Sequence, residues 1–396
     1  MTEPYFDESQ KDLTVEEDRE EREYRLRYER RQRMRRERQR RMRRRQMMQR
    51  VLFFVIVGVI TVLIAATVKH NKKAGEAEDA KEQAVEAVEQ PDRPEIEKID
   101  ESIRIEDSGE PETEETETEE ELPVYRFDET ENTVFIDSAD VISTNAILVN
   151  EDTDTILAAK GASERILPAS MTKVLTVLVA AEHIPEEKLD DMFTMTLEIT
   201  DYAYVNDCSS VGFLDGEKVS VRDLFYGTAM HSGGDAALGL AVYVSGSQEA
   251  FVELMNQKLA DLGIADSTNF TNCVGLYDEN HYSTVYDMAV IMKAAVENEF
   301  CRKVMSEHIY TTKPTKEHPD GIEISNWFLR KIEDKDTGGE VLCAKTGYIV
   351  QSKNCAVSYE IYAGKTPYIC VTAGSTSSWR CIYDHVEIYN RYVPSA

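Results

Sequence analysis

An α+β (mixed α/β) fold is predicted for residues 138–396: one antiparallel sheet assembled from both ends of the domain, flanking helices, and a helical subdomain in the middle. Three observations predict it. Strand-like runs stand at the two ends of the region, NAILVN and TILAAK at one and EVLCAKT, NCAVSYEIYA and TPYICVTAG at the other. Between them apolar residues recur at helical spacing. Layered packing around one core then brings the separated strand groups into a single sheet with helices beside it.

Composition divides the chain before this region is reached. The formal net charge is −29, yet residues 1–50 hold 17 basic against 12 acidic residues, whereas 124–396 hold 21 against 41. The acidic globular part argues against nucleic acid as its partner, because phosphate binding needs a net basic face. The seven histidines form no His-Glu-x-x-His pair, which argues against metallopeptidase chemistry.

Val51–Val68, VLFFVIVGVITVLIAATV, has 18 residues without a charge and is bounded by Arg50 and Lys69. That length spans a bilayer, and a cleaved signal peptide has a shorter apolar core. Arg and Lys are dense before the segment and sparse after it, so the positive-inside bias predicts a cytoplasmic basic tail over 1–50, a transmembrane helix over 51–68 and an external body. The arginine-rich run could also serve as a nucleic-acid arm. Directly before a span, a topology-setting segment beside anionic headgroups is the preferred reading. Residues 69–137 are expected to be an acidic disordered linker, since EPETEETETEEELP and its neighbours offer too little apolar surface to fold.

The first two strands form a hairpin through the turn EDTD. Helices are expected at Ala169–His183, Val221–Met230, Asp235–Val244, Ser247–Leu262 and Tyr286–Asn298. In the fourth, Phe251, Leu254, Met255, Leu259 and Leu262 share one face as a core stripe, and Gly263 closes it. A helix from Ile382 to Tyr392 ends the domain. All seven cysteines lie in the external part, and the odd number leaves at least one thiol outside any disulfide. Cys343, Cys355 and Cys370 sit in strand-like runs, where a buried cysteine acts as a small hydrophobe.

Three motifs carry chemistry. Ser170-Met171-Thr172-Lys173 begins a helix, so the Lys173 amine reaches the Ser170 hydroxyl and can take its proton, and a serine is a poor nucleophile until a base does this. Lys345-Thr346-Gly347 ends a strand, where a cation, a hydroxyl and a position without a side chain suit a carboxylate-ended peptide laid along the edge. His231-Ser232-Gly233-Gly234-Asp235 lies between two helices. Taken singly, each has a plainer reading: a chance Ser-x-x-Lys, a strand-to-turn transition, and a Gly-rich turn.

In this order and spacing the three resemble the motifs of the penicillin-recognising serine enzymes. The closer resemblance is to the D-alanyl-D-alanine carboxypeptidases of the penicillin-binding protein 5-like peptidase family S11. PASMTKVLT, GEKVSVRDLFYGTAM, FVELMNQKLADLGI, TNCVGLYDENHYSTVYDMA and CAKTGY resemble family segments in the family's order, from Asn145 to about Tyr392. The resemblance implies a β-lactamase/DD-peptidase-like catalytic domain over 138–396, bacterial and extracytoplasmic, acting on peptidoglycan stem peptides and β-lactam antibiotics without a cofactor. It implies Ser170 as the acylated nucleophile, Lys173 as its base and Ser232 as a proton relay. It also implies that Lys345, Thr346, Gly347 and Tyr348 bind substrate, that the backbone N–H groups of Ser170 and Tyr348 form the oxyanion hole, and that Lys345 pushes Lys173 toward its neutral form.

Two positions depart from the family. Gly234 stands where the second motif carries Asn, and Ser325 where some members carry Arg. An asparagine restored at 234 is expected to raise acylation if the site accepts a Cβ. The implied activity is removal of the terminal D-alanine through an acyl-enzyme. The alternatives are D,D-endopeptidase cleavage of cross-links and a weakened muropeptide- or β-lactam-binding scaffold.

Overall fold

The computed structural model describes residues 125–137, 139 and 141–394. The basic tail, the apolar run Val51–Val68 and most of the acidic linker lie outside the described residues. Among the described residues no helix is long and apolar enough to cross a membrane.

A six-stranded sheet forms the centre, built from β1 (Asp128–Phe135), β2 (Asn145–Asn150), β3 (Thr155–Lys160), β8 (Gly339–Ile349), β9 (Lys353–Tyr362) and β10 (Thr366–Ser375) in the order β1-β3-β2-β10-β9-β8. β10 joins the two ends of the domain. It runs antiparallel to β2 with Ile369 opposite Val149, and antiparallel to β9 with Val371 opposite Val357. The expected assembly of the sheet from both ends is therefore observed.

β1 corrects the expected domain boundary and makes the sheet mixed rather than wholly antiparallel. Asp128–Phe135 lies within the stretch read as linker, yet it pairs parallel with β3, Asp128 opposite Thr155 and Phe135 opposite Ala159. DETENTVF lacks apolar alternation because the strand is almost wholly exposed. Main-chain pairing holds it, aided by Thr133 Oγ1 donating to the Ile156 carbonyl at 2.7 Å. The folded part thus begins before residue 138, with Phe127 already buried.

Strand alternation sends side chains to opposite faces. Ile147, Val149, Val357, Ile369 and Val371 enter a core shared with most of the helices, while Ala146, Leu148, Ala356 and Cys370 enter a second core. The first core is covered by α1 (Lys173–His183), α3 (Val221–Ala229), α4 (Gly234–Ser245), α5 (Gln248–Asp261) and α6 (Val285–Glu297). In α6 ten of the thirteen residues are buried, so it is the central helix of this layer. Each fully buried Val, Ile or Met there contributes about 1.5–3 kcal/mol. The second core packs under α8 (Trp327–Ile332) and α9 (Ser378–Tyr392).

The expected helices are present with shifted ends. The segment from Ala169 is a 3₁₀ turn over Ala169–Thr172 that passes into α1. In α5, Phe251, Met255 and Leu259 are buried, Leu262 is buried just past its end and Leu254 only partly, and Ser247 caps the start by accepting from the Ala250 N–H. α2 (Leu197–Val205), α7 (Glu299–Met305), α8 and two small two-stranded sheets, β4 (Met192–Thr194) with β5 (Lys218–Ser220) and β6 (Ile309–Thr311) with β7 (Glu323–Ser325), were not expected from the sequence. They are too short to establish a period. None of the seven cysteines forms a disulfide, and all but Cys208 are buried.

Candidate active site

Ser170 stands on the 3₁₀ turn ahead of α1, and Lys173 is the first residue of α1. In a 3₁₀ turn residues three apart eclipse one another. The Lys173 ammonium accordingly donates to Ser170 Oγ at 3.0 Å. Its second bond goes to the Val274 carbonyl at 2.6 Å. Lys173 is only 1% exposed, and this burial lowers its pKa below the ordinary lysine value, with Cys208, Cys273 and Asp235 acting in the opposite direction. A buried amine beside a half-exposed hydroxyl is the arrangement a general base for serine requires.

The Val274 carbonyl is held by Asn272. Its Oδ1 accepts from the N–H groups of Val274, Gly275 and Leu276 at 3.2, 2.8 and 2.9 Å, which clamps the loop into one shape. Under the same turn, His281 contacts Thr172 Oγ1 through Nε2 at 2.8 Å and accepts from the Thr271 N–H at Nδ1. Burial brings its pKa down to about 4, so it is neutral. Asn272 and His281 belong to the segment TNCVGLYDENHYSTVYDMA, whose likeness to family text was visible in the sequence although no role attached to either residue.

The second serine is held by the second lysine. Ser232 lies between α3 and α4 with φ +59°, a conformation uncommon outside glycine. The Lys345 ammonium donates to Ser232 Oγ at 2.9 Å and to the Thr346 carbonyl at 2.8 Å. Asp235, fully buried, fixes the loop beside this turn. Its carboxylate accepts from the N–H groups of Val211 and Gly212 at 2.9 and 3.0 Å and from Ser210 Oγ at 2.7 Å. Three bonds to one carboxyl group make this a local clasp.

Lys345 is driven well below the ordinary lysine pKa, first by burial and then by the charge of Lys173. The sequence-based expectation placed the like-charge push on Lys173. In the structure, burial is the principal cause at Lys173, and the repulsion is expressed at Lys345.

Lys345, Thr346, Gly347 and Tyr348 lie on β8, the end strand of the sheet, whose outer edge pairs with no other strand among the described residues. Thr346 is half-buried and Tyr348 exposed. Gly347 had been expected to admit a ligand backbone. The protein's own backbone also requires it, because a Cβ there would lie 2.8 Å from the Pro168 carbonyl oxygen, 3.0 Å from the Ser170 nitrogen and 2.7 Å from Cys355 Sγ. This close approach sets the Ser170 turn against the strand, so that the backbone of Ser170 and the end of β8 border one space. The structure thus brings Ser170, Lys173, Ser232, Lys345 and Gly347 together, with Thr346 and Tyr348 following along the same edge.

A sheet with helices on both faces and a serine–lysine pair opposed by a second serine–lysine pair defines the class of penicillin-recognising serine peptidases. The chain belongs to the D-alanyl-D-alanine carboxypeptidase family, peptidase S11, whose sequence pattern matches residues 131–376. It is 31% identical over 242 residues to the D-alanyl-D-alanine carboxypeptidase of Streptomyces sp. strain K15, covering 58% of this chain and 79% of that one. It is 31% identical over 211 residues to D-alanyl-D-alanine carboxypeptidase DacF of Bacillus subtilis, covering 53% of this chain and 52% of DacF. The match thus spans about half the length of DacF. The crystal structure of the Streptomyces K15 DD-transpeptidase superposes with a TM-score of 0.57 at 27% identity, covering 63% of this chain and 96% of that one.

Proposed function

We propose that the chain is a serine D,D-carboxypeptidase that removes the terminal D-alanine from peptidoglycan stem peptides through an acyl-enzyme on Ser170 and is captured covalently by β-lactams at the same residue. The observation that carries this reading is the pair of lysine–serine bonds, Lys173 to Ser170 and Lys345 to Ser232, at an unpaired strand edge. Neutral Lys173 takes the Ser170 proton as Oγ attacks the penultimate carbonyl. The N–H groups of Ser170 and Tyr348 receive the developing oxyanion, and Ser232 passes a proton to the departing D-alanine.

Lys345 has a further part in this scheme. Burial holds its pKa below the ordinary lysine value, and a substrate carboxylate placed beside it favours the ammonium form that pairs with it. Mass spectrometry of products tests the activity: a pentapeptide ending in D-Ala-D-Ala is expected to lose one alanine faster than a cross-linked dimer is opened. The opposite order would support the endopeptidase alternative, and neither reaction would support a binding scaffold.

The reading also includes anchoring to the bacterial cell membrane through Val51–Val68, with the basic tail cytoplasmic and residues 69 onward extracytoplasmic. Protease added to intact spheroplasts is expected to remove the catalytic domain and spare the arginine-rich tail. Loss of the tail with the domain protected would reverse the orientation.

A further inference from the structure

Gly234 is the first residue of α4, and its backbone lies outside the left-handed region, so nothing in the main chain demands glycine there. Space does. A Cβ at 234 would lie 2.7 Å from Cys208 Cβ and 3.2 Å from Cys208 Sγ. The place that a side chain of the second motif would enter is taken by a side chain from another segment, the loop that follows α2. The condition set on an asparagine at 234, that the site accept a Cβ, is therefore not met unless Cys208 shifts.

The loop is fixed where it delivers Cys208. The Cys208 N–H donates to the Ala203 carbonyl at 2.9 Å, and the Gly234 N–H donates to the Ser209 carbonyl at 2.7 Å. The three Asp235 bonds to Ser210, Val211 and Gly212 follow at once. Cys208 is the one cysteine of the seven that is not fully buried, and it lies close enough to act electrostatically on the Lys173 amine.

We infer that Cys208 is a positioning residue of the acylation step, supplying from the loop after α2 the side chain that the second motif lacks at Gly234. It fills the wall between the Ser232 turn and Lys173, keeps the buried amine covered, and holds the start of α4 at its present distance from the site. Its thiol donates and accepts hydrogen bonds only weakly, so it replaces the volume of an amide more fully than its polarity. The inference rests on the acyl-enzyme reading of the site.

A swap of the two positions tests it, with the full-length chain in detergent and the acylation rate by a fluorescent penicillin as readout, alongside thermal melting. Cys208→Gly is expected to slow acylation about tenfold, an effect typical of coupled neighbours. Cys208→Ser, which keeps a side chain of nearly the same size, loses less. Gly234→Asn alone forces Cβ against Cβ and lowers both the melting temperature and the acylation rate.

The double variant Cys208→Gly with Gly234→Asn moves the side chain to the other segment. It is expected to melt higher than Gly234→Asn and to acylate faster than either single variant. If Gly234→Asn does not fold, recovery of a folded, acylating protein in the double variant is the same result. A double variant that acylates no faster than the slower single, or a Cys208→Gly protein as fast as the unsubstituted chain, overturns the role of Cys208 while leaving the acyl-enzyme reading intact. An unsubstituted chain that never acylates overturns both.

Discussion

Ser170→Ala is expected to abolish D-alanine release and the covalent capture of a labelled penicillin, a fall of about 10⁴-fold or more. Among the described residues Lys173 has no other hydroxyl as a hydrogen-bond partner: its amine touches Ser170 Oγ and the Val274 carbonyl. Ser232 Oγ is bonded to Lys345 instead, the lysine that the proposed function assigns to the substrate carboxylate, so in that reading the second serine cannot take over attack without losing its own partner. The variant should stay folded. It removes one hydrogen bond from a half-buried hydroxyl, at a cost of about 1 kcal/mol. Full labelling of a folded Ser170→Ala protein would show that the nucleophile lies elsewhere.

Lys173→Ala is expected to slow acylation about 10³-fold, the usual loss when a positioned general base is removed. Its pH dependence distinguishes a base from a structural cation. The groups facing the Lys173 amine are Ser170 on its own turn, Lys345 on β8, Asp235 on α4, Cys208 on the loop after α2, and Cys273 and His281 ahead of α6. Burial dominates and lowers the lysine pKa, so neutral amine is gained as pH rises and is plentiful at a lower pH than for an exposed lysine.

Acylation by the unsubstituted chain should therefore rise with pH, reaching half its limit below the ordinary lysine value of 10.5, and this rise should vanish in Lys173→Ala. A variant that keeps the same profile would assign the titration to another group. His281 is a poor candidate for it, since burial has already taken its proton affinity down to about 4.

Much of this site is legible in the chain because its chemistry is local in sequence. Ser170 and Lys173 are three residues apart and need only one helical turn to meet, and Lys345–Tyr348 are consecutive on a strand that reads as a strand. Ser232 is less plain: its motif looks like a Gly-rich turn, and its meaning comes from its order between the other two. What the sequence conceals is contact between distant segments. Asn272 shapes the Val274 carbonyl, which lies 101 residues along the chain from the Lys173 it receives, and nothing in its own neighbourhood marks that role.

Gly234 reads as a missing side chain until Cys208 is seen in its place. β1 is hidden for a different reason. An exposed edge strand held by main-chain bonds carries no alternation, so its polar sequence merges with the acidic run before it. The two lysines show the same limit in energetic form, since the sequence supplies their charges but only the fold supplies the burial that lowers both pKa values.

The account turns on one bond, between Ser170 Oγ and the acyl group of the substrate or inhibitor. Peptide mapping by mass spectrometry of the full-length chain after a brief incubation with a penicillin locates that bond directly. The predicted result is one added penicilloyl mass, carried by the peptide that contains Ser170, with the peptides containing Ser232 and Cys208 unmodified. An adduct on Cys208 or Ser232, or none under conditions where the protein is folded, would contradict it.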